Sequence, residues 1–122
     1  MHEMIKLKRI YEKASTEDGY RILVDRLWPR GLTKAGARVS LWAKDIAPSD
    51  DLRKWSSHDP EKWEQFQKRY TQELSEKRER LREIKKIKKK ERIVTLLYSS
   101  KDDKHNNGRV LYHLLRTTSK NR

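Results

Sequence analysis

The sequence predicts an α/β fold: a single small domain, residues 1–122, with a mainly parallel sheet flanked by helices. Residues 22–24 and 93–98 are apolar without polar alternation, which is typical of strands covered on both faces. Between them, four side chains recur at helical spacing and predict one apolar stripe: Trp63, Phe66, Tyr70 and Leu74. Such strands, separated by helices, favour a parallel sheet, and a chain of this length has room for one domain.

Four segments are candidates for the rest of the sheet and its connections. Residues 5–11 alternate and predict an edge strand with one solvated face, whereas residues 21–26 predict a buried strand. Residues 33–39 fit either a short helix or an irregular loop. Residues 41–46 fit either a third strand or one helical turn, which the following proline ends.

Capping residues predict where the helices begin. Ser49 precedes two aspartates and predicts the cap of a short helix, and Asp59, followed by a proline, predicts a second helix start. Apolar positions within residues 81–87 predict a further helix or a bent extension of the preceding one. A final helix fits residues 105–116, and residues 117–122 are predicted to form a loose tail.

The composition excludes several classes of site. The chain has no cysteine, which excludes disulfides, zinc–thiolate sites, iron–sulfur clusters and thiol nucleophiles. Its four glycines are scattered, so it has neither a P-loop nor a dinucleotide-binding fingerprint. No two histidines are spaced like metal ligands beside a carboxylate, and we expect neither a metal nor another cofactor. No apolar run approaches the ~18 residues of a membrane span, and we expect a cytoplasmic protein.

Charged residues follow both buried strands. Asp25 and Arg26 come directly after one strand, and Lys101 and Asp102 follow the other. If the two strands are parallel neighbours, both pairs lie at the carboxyl edge of the sheet, where ligands bind in open parallel sheets. Charges this close to a core need partners or solvent, so the group is either a binding site or a structural ion-pair network.

As a binding site, this group would recognise a small anion, phosphate or carboxylate, because guanidinium groups match both in bidentate geometry. The candidate ligand-binding residues are Arg26, Trp28, Arg30, Lys44, Arg53, Lys101 and Asn106. Trp28 stands between two arginines and would contact a planar ligand. The helical spacing of Trp55 and Trp63 is more typical of core residues.

Three residues are candidates for proton transfer: Asp25, His58 and Asp102. Histidine titrates near neutrality, but His58 also precedes a predicted helix start, which favours a capping or packing role at least as much. His105 would face the same edge of the sheet. No G-x-S-x-G elbow surrounds the serines after the last strand, so the sequence leaves open whether the protein is an enzyme.

A strongly basic segment covers residues 77–92. The chain carries 31 Lys and Arg against 18 Asp and Glu, a formal net charge of +13, and this segment alone holds ten basic and three acidic side chains. Such a surplus favours anionic partners, and nucleic acid would be bound through Lys85, Lys86, Lys88, Lys89 and Lys90. The alternative is a solvated helix face on which Glu79 and Glu83 form ion pairs.

Three blocks of the chain resemble the YeaO-like family of domains of unknown function, DUF488 type. They are VDRLWPRG at 24–31, LRKW with HDP and a tryptophan within 52–63, and LLYSSKDDKHNN at 96–107. The resemblance runs from about residue 5 to residue 115. It implies a small bacterial or archaeal α/β protein whose activity is not established, and it leaves a third hypothesis open, a structural or stress-related partner protein that uses neither site.

Overall fold

A four-stranded parallel sheet lies at the centre of the structure, a computed structural model that describes residues 3–57 and 59–118. Its strands are β1 (Met4–Arg9), β2 (Tyr20–Leu23), β3 (Leu41–Trp42) and β4 (Ile93–Tyr98). They are ordered β1-β4-β2-β3, and every neighbouring pair is parallel. The predicted α/β class and the parallel sheet are therefore confirmed.

Five helices connect and cover the strands: α1 (Lys34–Ala37), α2 (Asp50–Ser56), α3 (Trp63–Leu74), α4 (Arg78–Glu91) and α5 (Asn107–Thr118). The predicted caps are present, since the Ser49 side chain accepts from Leu52 N at α2 and the Asp59 side chain accepts from Glu61 N before α3. The segment 41–46 was predicted as either a third strand or one helical turn, and it contains both. β3 is followed by a 3-10 turn at Lys44–Ile46.

The sheet separates two apolar clusters of unequal size. The larger lies under the longer helices and joins Val94 and Leu96 of β4 to Phe66 and Tyr70 of α3, with further residues of α4 and α5. The smaller contains Leu97 on the opposite side of β4. β4 is buried from its second residue onward because it has a strand on each side and a cluster on each face.

Several predicted boundaries differ from the structure. β1 covers Met4–Arg9, so it ends two residues earlier than predicted. β2 ends at Leu23, earlier than predicted, and the last backbone hydrogen bond to β4 runs from Val24 N to Leu97 O at 3.1 Å. α5 starts at Asn107 and not at His105, because Asp102 accepts from the amides of Lys104 and His105 and forms a separate turn there. α5 also extends through Thr118, which corrects the first two residues of the predicted loose tail; the other four lie outside the described residues.

Candidate functional site

The carboxyl ends of β2 and β4 lie side by side, as the sequence predicted. Leu23 pairs with Leu97 in the parallel ladder, so the segments after the two strands leave the sheet together. Asp25 Oδ2 accepts hydrogen bonds from Ser99 N at 2.9 Å and from Ser99 Oγ at 2.7 Å. One carboxylate therefore joins the two loops that follow these strands.

A cavity of about 550 Å³ opens at this edge of the sheet. Its lining comes from the two strand ends, from α2, from the start of α3 and from the loop before α5. Six of the predicted site residues lie on it: Asp25, Arg26, Arg53, Lys101, Asp102 and Asn106. Its volume falls within the range of pockets that hold small molecules, about 300–1,000 Å³.

The carboxylates on the cavity wall are occupied by donors of the protein itself. Asp25 accepts from Ser99, and Asp59 Oδ1 accepts from Glu61 N at 3.0 Å. Asp102 Oδ1 accepts from two backbone amides, and its Oδ2 lies 2.9 Å from His105 Nδ1. The hydrogen bonds from His105, first from its ring and then from its amide, hold the pKa of Asp102 below the ordinary 3.8.

The cations on the wall, in contrast, keep donors to spare. Arg26 Nε donates to Pro48 O at 3.2 Å and lies 3.7 Å from Asp50 Oδ1, to which Arg53 Nη2 donates at 3.1 Å. The other guanidinium nitrogens of both arginines, and Lys101 Nζ, form no hydrogen bond with another described residue. The described part of the lining thus offers free donors, and each of its carboxylates already has at least one oxygen engaged.

Aromatic rings form another part of the wall. Trp63 and Phe66, both on the cavity lining, lie with ring centroids 5.6 Å apart and planes inclined by 17°. The ring of His105 meets Trp63 edge to face at 5.2 Å. The sequence predicted Trp63 as a core residue, and its ring does pack, partly buried, against the larger apolar cluster while it also lines the cavity. Its position in the first turn of α3, where the helix borders the cavity, was the available clue to this second role.

The chain also matches known proteins over most of its length. Residues 4–122 match the family described as "Inactive DUF488-N3 subclade". The uncharacterized protein YeaO of Escherichia coli (strain K12) is 41% identical over 113 residues, which cover 93% of this chain and 97% of YeaO. The chain belongs to the DUF488 family. An uncharacterized protein of Mycobacterium tuberculosis (strain ATCC 25618 / H37Rv) is 38% identical over 111 residues, or 91% of this chain and 92% of that protein. No solved structure matches this DUF488 chain significantly.

Three residues predicted to bind the ligand of this DUF488 protein do not line the cavity: Trp28, Arg30 and Lys44. Trp28 Nε1 donates to Leu32 O at 2.7 Å, and its ring packs edge to face on Trp42, 5.4 Å away, beside the smaller apolar cluster. Lys44 Nζ lies 4.6 Å from the centre of the Trp42 ring. Both Trp28 and Lys44 therefore contact Trp42 and lie outside the cavity.

Asn106 and His58 are the other two predicted residues whose role the cavity does not decide. Asn106 lines the cavity, but its amide donates to Asp102 O at 2.9 Å and accepts from Arg109 N at 2.9 Å, so its polar atoms serve the loop. His58 lies outside the described residues. Among the residues that the structure covers, no group of three His, Asp or Glu side chains is placed to hold a metal ion.

The basic segment of this DUF488 chain forms α4, and one of its predicted contacts is wrong. Lys88 is 7% exposed, because it lies four residues after the buried Ile84 and so on the same side of the helix. Lys86, Lys89 and Lys90 are exposed, and Lys85 is half-buried. The expected ion pairs are present, Arg80 with Glu83 at 2.7 Å and Arg82 with Glu79 at 3.9 Å. Over the described ranges, no helix is both long and apolar enough to cross a bilayer.

Proposed function

We propose that the protein binds a small anionic ligand, a phosphate or a carboxylate, in the cavity beyond β2 and β4. The observation that carries this proposal is the unequal use of polar groups on the wall. Asp25, Asp59 and Asp102 accept from the protein itself, whereas Arg26 and Arg53 have guanidinium nitrogens without a described partner. A ligand that brings acceptors meets free donors there.

The two arginines are held in a form suited to this task. Arg26 Nε is anchored on Pro48 O, which leaves its two terminal nitrogens to donate as a pair, and Arg53 is anchored through Nη2 on Asp50. Planar guanidinium groups bind phosphate and carboxylate through two parallel hydrogen bonds. Asp50 lies between the arginines and reduces their mutual repulsion, and Arg53 in turn keeps the pKa of Asp50 below its usual value.

We propose that the protein binds this ligand without catalysing a reaction on it. The family that the chain matches is described as an inactive subclade, and the carboxylates Asp25 and Asp102, candidates for proton transfer, are engaged in holding loops. A general base must be able to reach the proton that it removes. We therefore expect a ligand to be released unchanged.

Calorimetric titration with inorganic phosphate tests the proposal. We expect Arg26→Ala and Arg53→Ala each to weaken phosphate binding about tenfold or more, since a hydrogen bond to a charged group contributes about 1.5–3 kcal/mol. Arg30→Ala is the matched control, an arginine of the same loop that does not line the cavity. Absence of phosphate binding, or an equal loss in Arg30→Ala, would overturn the proposal.

A second candidate function is nucleic-acid binding through α4. Lys86, Lys89 and Lys90 are spaced by three and four residues, so they share one side of the helix. All three are exposed, and none is ion-paired with a carboxylate among the described residues. This face, with Lys85 beside it, is the part of the basic segment that supports the proposal.

Salt-dependent binding to duplex DNA tests the second candidate. If three phosphates are contacted, a fourfold increase in salt should weaken binding about fortyfold. The triple variant Lys86→Glu, Lys89→Glu, Lys90→Glu should abolish the binding, whereas the control Lys13→Glu, Lys34→Glu, Lys68→Glu, with the same net charge at exposed sites elsewhere, should retain most of it. Equal losses in both variants would indicate a general charge effect and rule out a specific α4 interface.

A further inference from the structure

The cavity holds more apolar surface than a bare phosphate or carboxylate could cover. Trp63 and Phe66 line it together with Leu27, which is 62% exposed, and with Ala47 and Pro48. Apolar surface that stays in contact with water adds nothing to binding, while covering it contributes in proportion to its area. A ligand that used the whole cavity would therefore carry an apolar part beside its anionic group.

The geometry of the aromatic rings indicates what that apolar part is. Trp63 is fixed on two sides, by the nearly parallel ring of Phe66 and by the edge contact with His105. His105 is held in turn by Asp102, whose carboxylate lies 2.9 Å from its Nδ1. A rigid indole of this kind is a preorganised apolar surface, against which a flat ring packs at little entropic cost.

We infer that the ligand is an anion that carries a planar aromatic ring, an aryl or heteroaryl phosphate or carboxylate; this inference rests on the proposed anion site. The anionic group lies at the free donors of Arg26 and Arg53, and the ring packs against Trp63 and Phe66. The volume of about 550 Å³ accommodates both parts at once.

Three probes separate the two parts of the site: inorganic phosphate, phenyl phosphate and phenol, titrated calorimetrically against the full chain. We expect phenyl phosphate to bind at least about tenfold more tightly than inorganic phosphate, and phenol to bind weakly. Trp63→Leu should bring the phenyl phosphate affinity close to that of inorganic phosphate and leave the latter unchanged. Trp55→Leu is the control, because Trp55 packs under Arg69 and Lys62 and does not line the cavity.

The outcomes distinguish this inference from the proposed function. If phosphate and phenyl phosphate bind equally tightly and Trp63→Leu changes neither affinity, the inference of an aromatic ring is wrong and the anion site remains supported. Binding of phenol as tight as that of phenyl phosphate, insensitive to Arg26→Ala, would overturn the anion site. Absence of binding by all three probes would overturn both. If Trp63→Leu does not fold by circular dichroism, Phe66→Leu tests the same wall, with the same expected loss of the phenyl preference.

Discussion

Asp25 and Ser99, 74 residues apart in the chain, are joined by two hydrogen bonds to a single carboxylate oxygen. They meet just beyond the point where the β2–β4 ladder ends. A third contact lies beside them, because Asn107 Nδ2 at the start of α5 donates to Val24 O at 2.9 Å. The floor of the cavity is thus held by side chains where backbone pairing has stopped.

We expect Asp25→Ala to lower the free energy of unfolding by about 1–3 kcal/mol, since it leaves the half-buried amide and hydroxyl of Ser99 without their acceptor. Asp25→Asn should lower the free energy of unfolding less, because the amide oxygen of the asparagine can still accept from Ser99. Urea denaturation followed by circular dichroism measures both. Unchanged stability in Asp25→Ala would show that water replaces the carboxylate at no cost.

A buried ion-pair group at the other end of β2 makes stability depend on pH. Asp18, 4% exposed, accepts from Lys8 Nζ at 3.0 Å and from Arg21 Nη1 at 2.6 Å. Burial by itself raises its pKa, but the hydrogen bonds from Lys8, from Ser15 N and from Arg21 outweigh burial and lower the pKa below 3.8. We expect Asp18→Asn to cost about 3 kcal/mol at neutral pH, as removal of one partner from a buried pair usually does.

That cost should disappear in acid. Because the folded protein binds the Asp18 proton less tightly than the unfolded chain, the stability from this carboxylate is complete above pH 3.8 and is lost as the pH falls through the lowered pKa. The unfolding free energies of wild type and Asp18→Asn, measured from neutral pH downwards, should converge below that point. A constant difference across the whole range would contradict the assignment.

Two glycines with positive φ should differ in their tolerance of a side chain. A Cβ atom on Gly19, at φ 65°, would overlap the backbone oxygen of Ile93 and lie 2.7 Å from its Cβ, whereas a Cβ atom on Gly31, at φ 83°, meets nothing within 4 Å. We expect Gly31→Ala to cost about 1–2 kcal/mol from backbone strain alone, and Gly19→Ala clearly more. Equal losses of unfolding free energy in the two variants would show that β4 moves freely away from Gly19.

The buried hydroxyl of Tyr70 makes the stability of the protein depend on pH in the alkaline range. It donates to Ile46 O at 2.7 Å, and burial, followed by the nearby carboxylates of Asp25 and Glu73, raises its pKa above the ordinary 10.0. Tyr70→Phe should cost about 1–2 kcal/mol at neutral pH, because it leaves a buried carbonyl oxygen without its donor.

Above pH 10.0 the unfolded chain loses the Tyr70 proton while the folded protein keeps it, so this advantage of wild type over Tyr70→Phe should shrink as the pH rises. Tyrosinate absorbance checks the same point, since the two folded proteins should show equal increases on titration to moderately alkaline pH. A larger increase in wild type would mean that Tyr70 ionises without unfolding.

Much of the fold was predictable because its determinants are local. The apolar run at Ile93–Tyr98 forms a strand that is covered on both faces, and the stripe from Trp63 to Leu74 covers one face of the sheet. Ser49 and Asp59 cap the helices that follow them. Periodicity and capping depend on residues within a turn or two of one another, and such information is contained in the sequence.

The composition of the cavity was only partly predictable. The shared edge of Asp25, Arg26, Lys101 and Asp102 follows from two parallel strands, and it is present. Trp28 lies outside the cavity because it contacts Leu32 and Trp42, and these contacts form only when the chain folds back on itself. Sequence spacing carried no information about that contact.

The sequence by itself determined the α/β class, the capped helices and the charged residues at the carboxyl edge of the sheet, because neighbouring residues decide each of these. Only the tertiary structure decided that Trp63 lines the cavity, that Trp28 and Lys44 lie outside it, and that Lys88 is buried. The direction of a side chain beyond the end of a strand or on a helix is set by packing against distant segments, and that packing exists only in the folded chain.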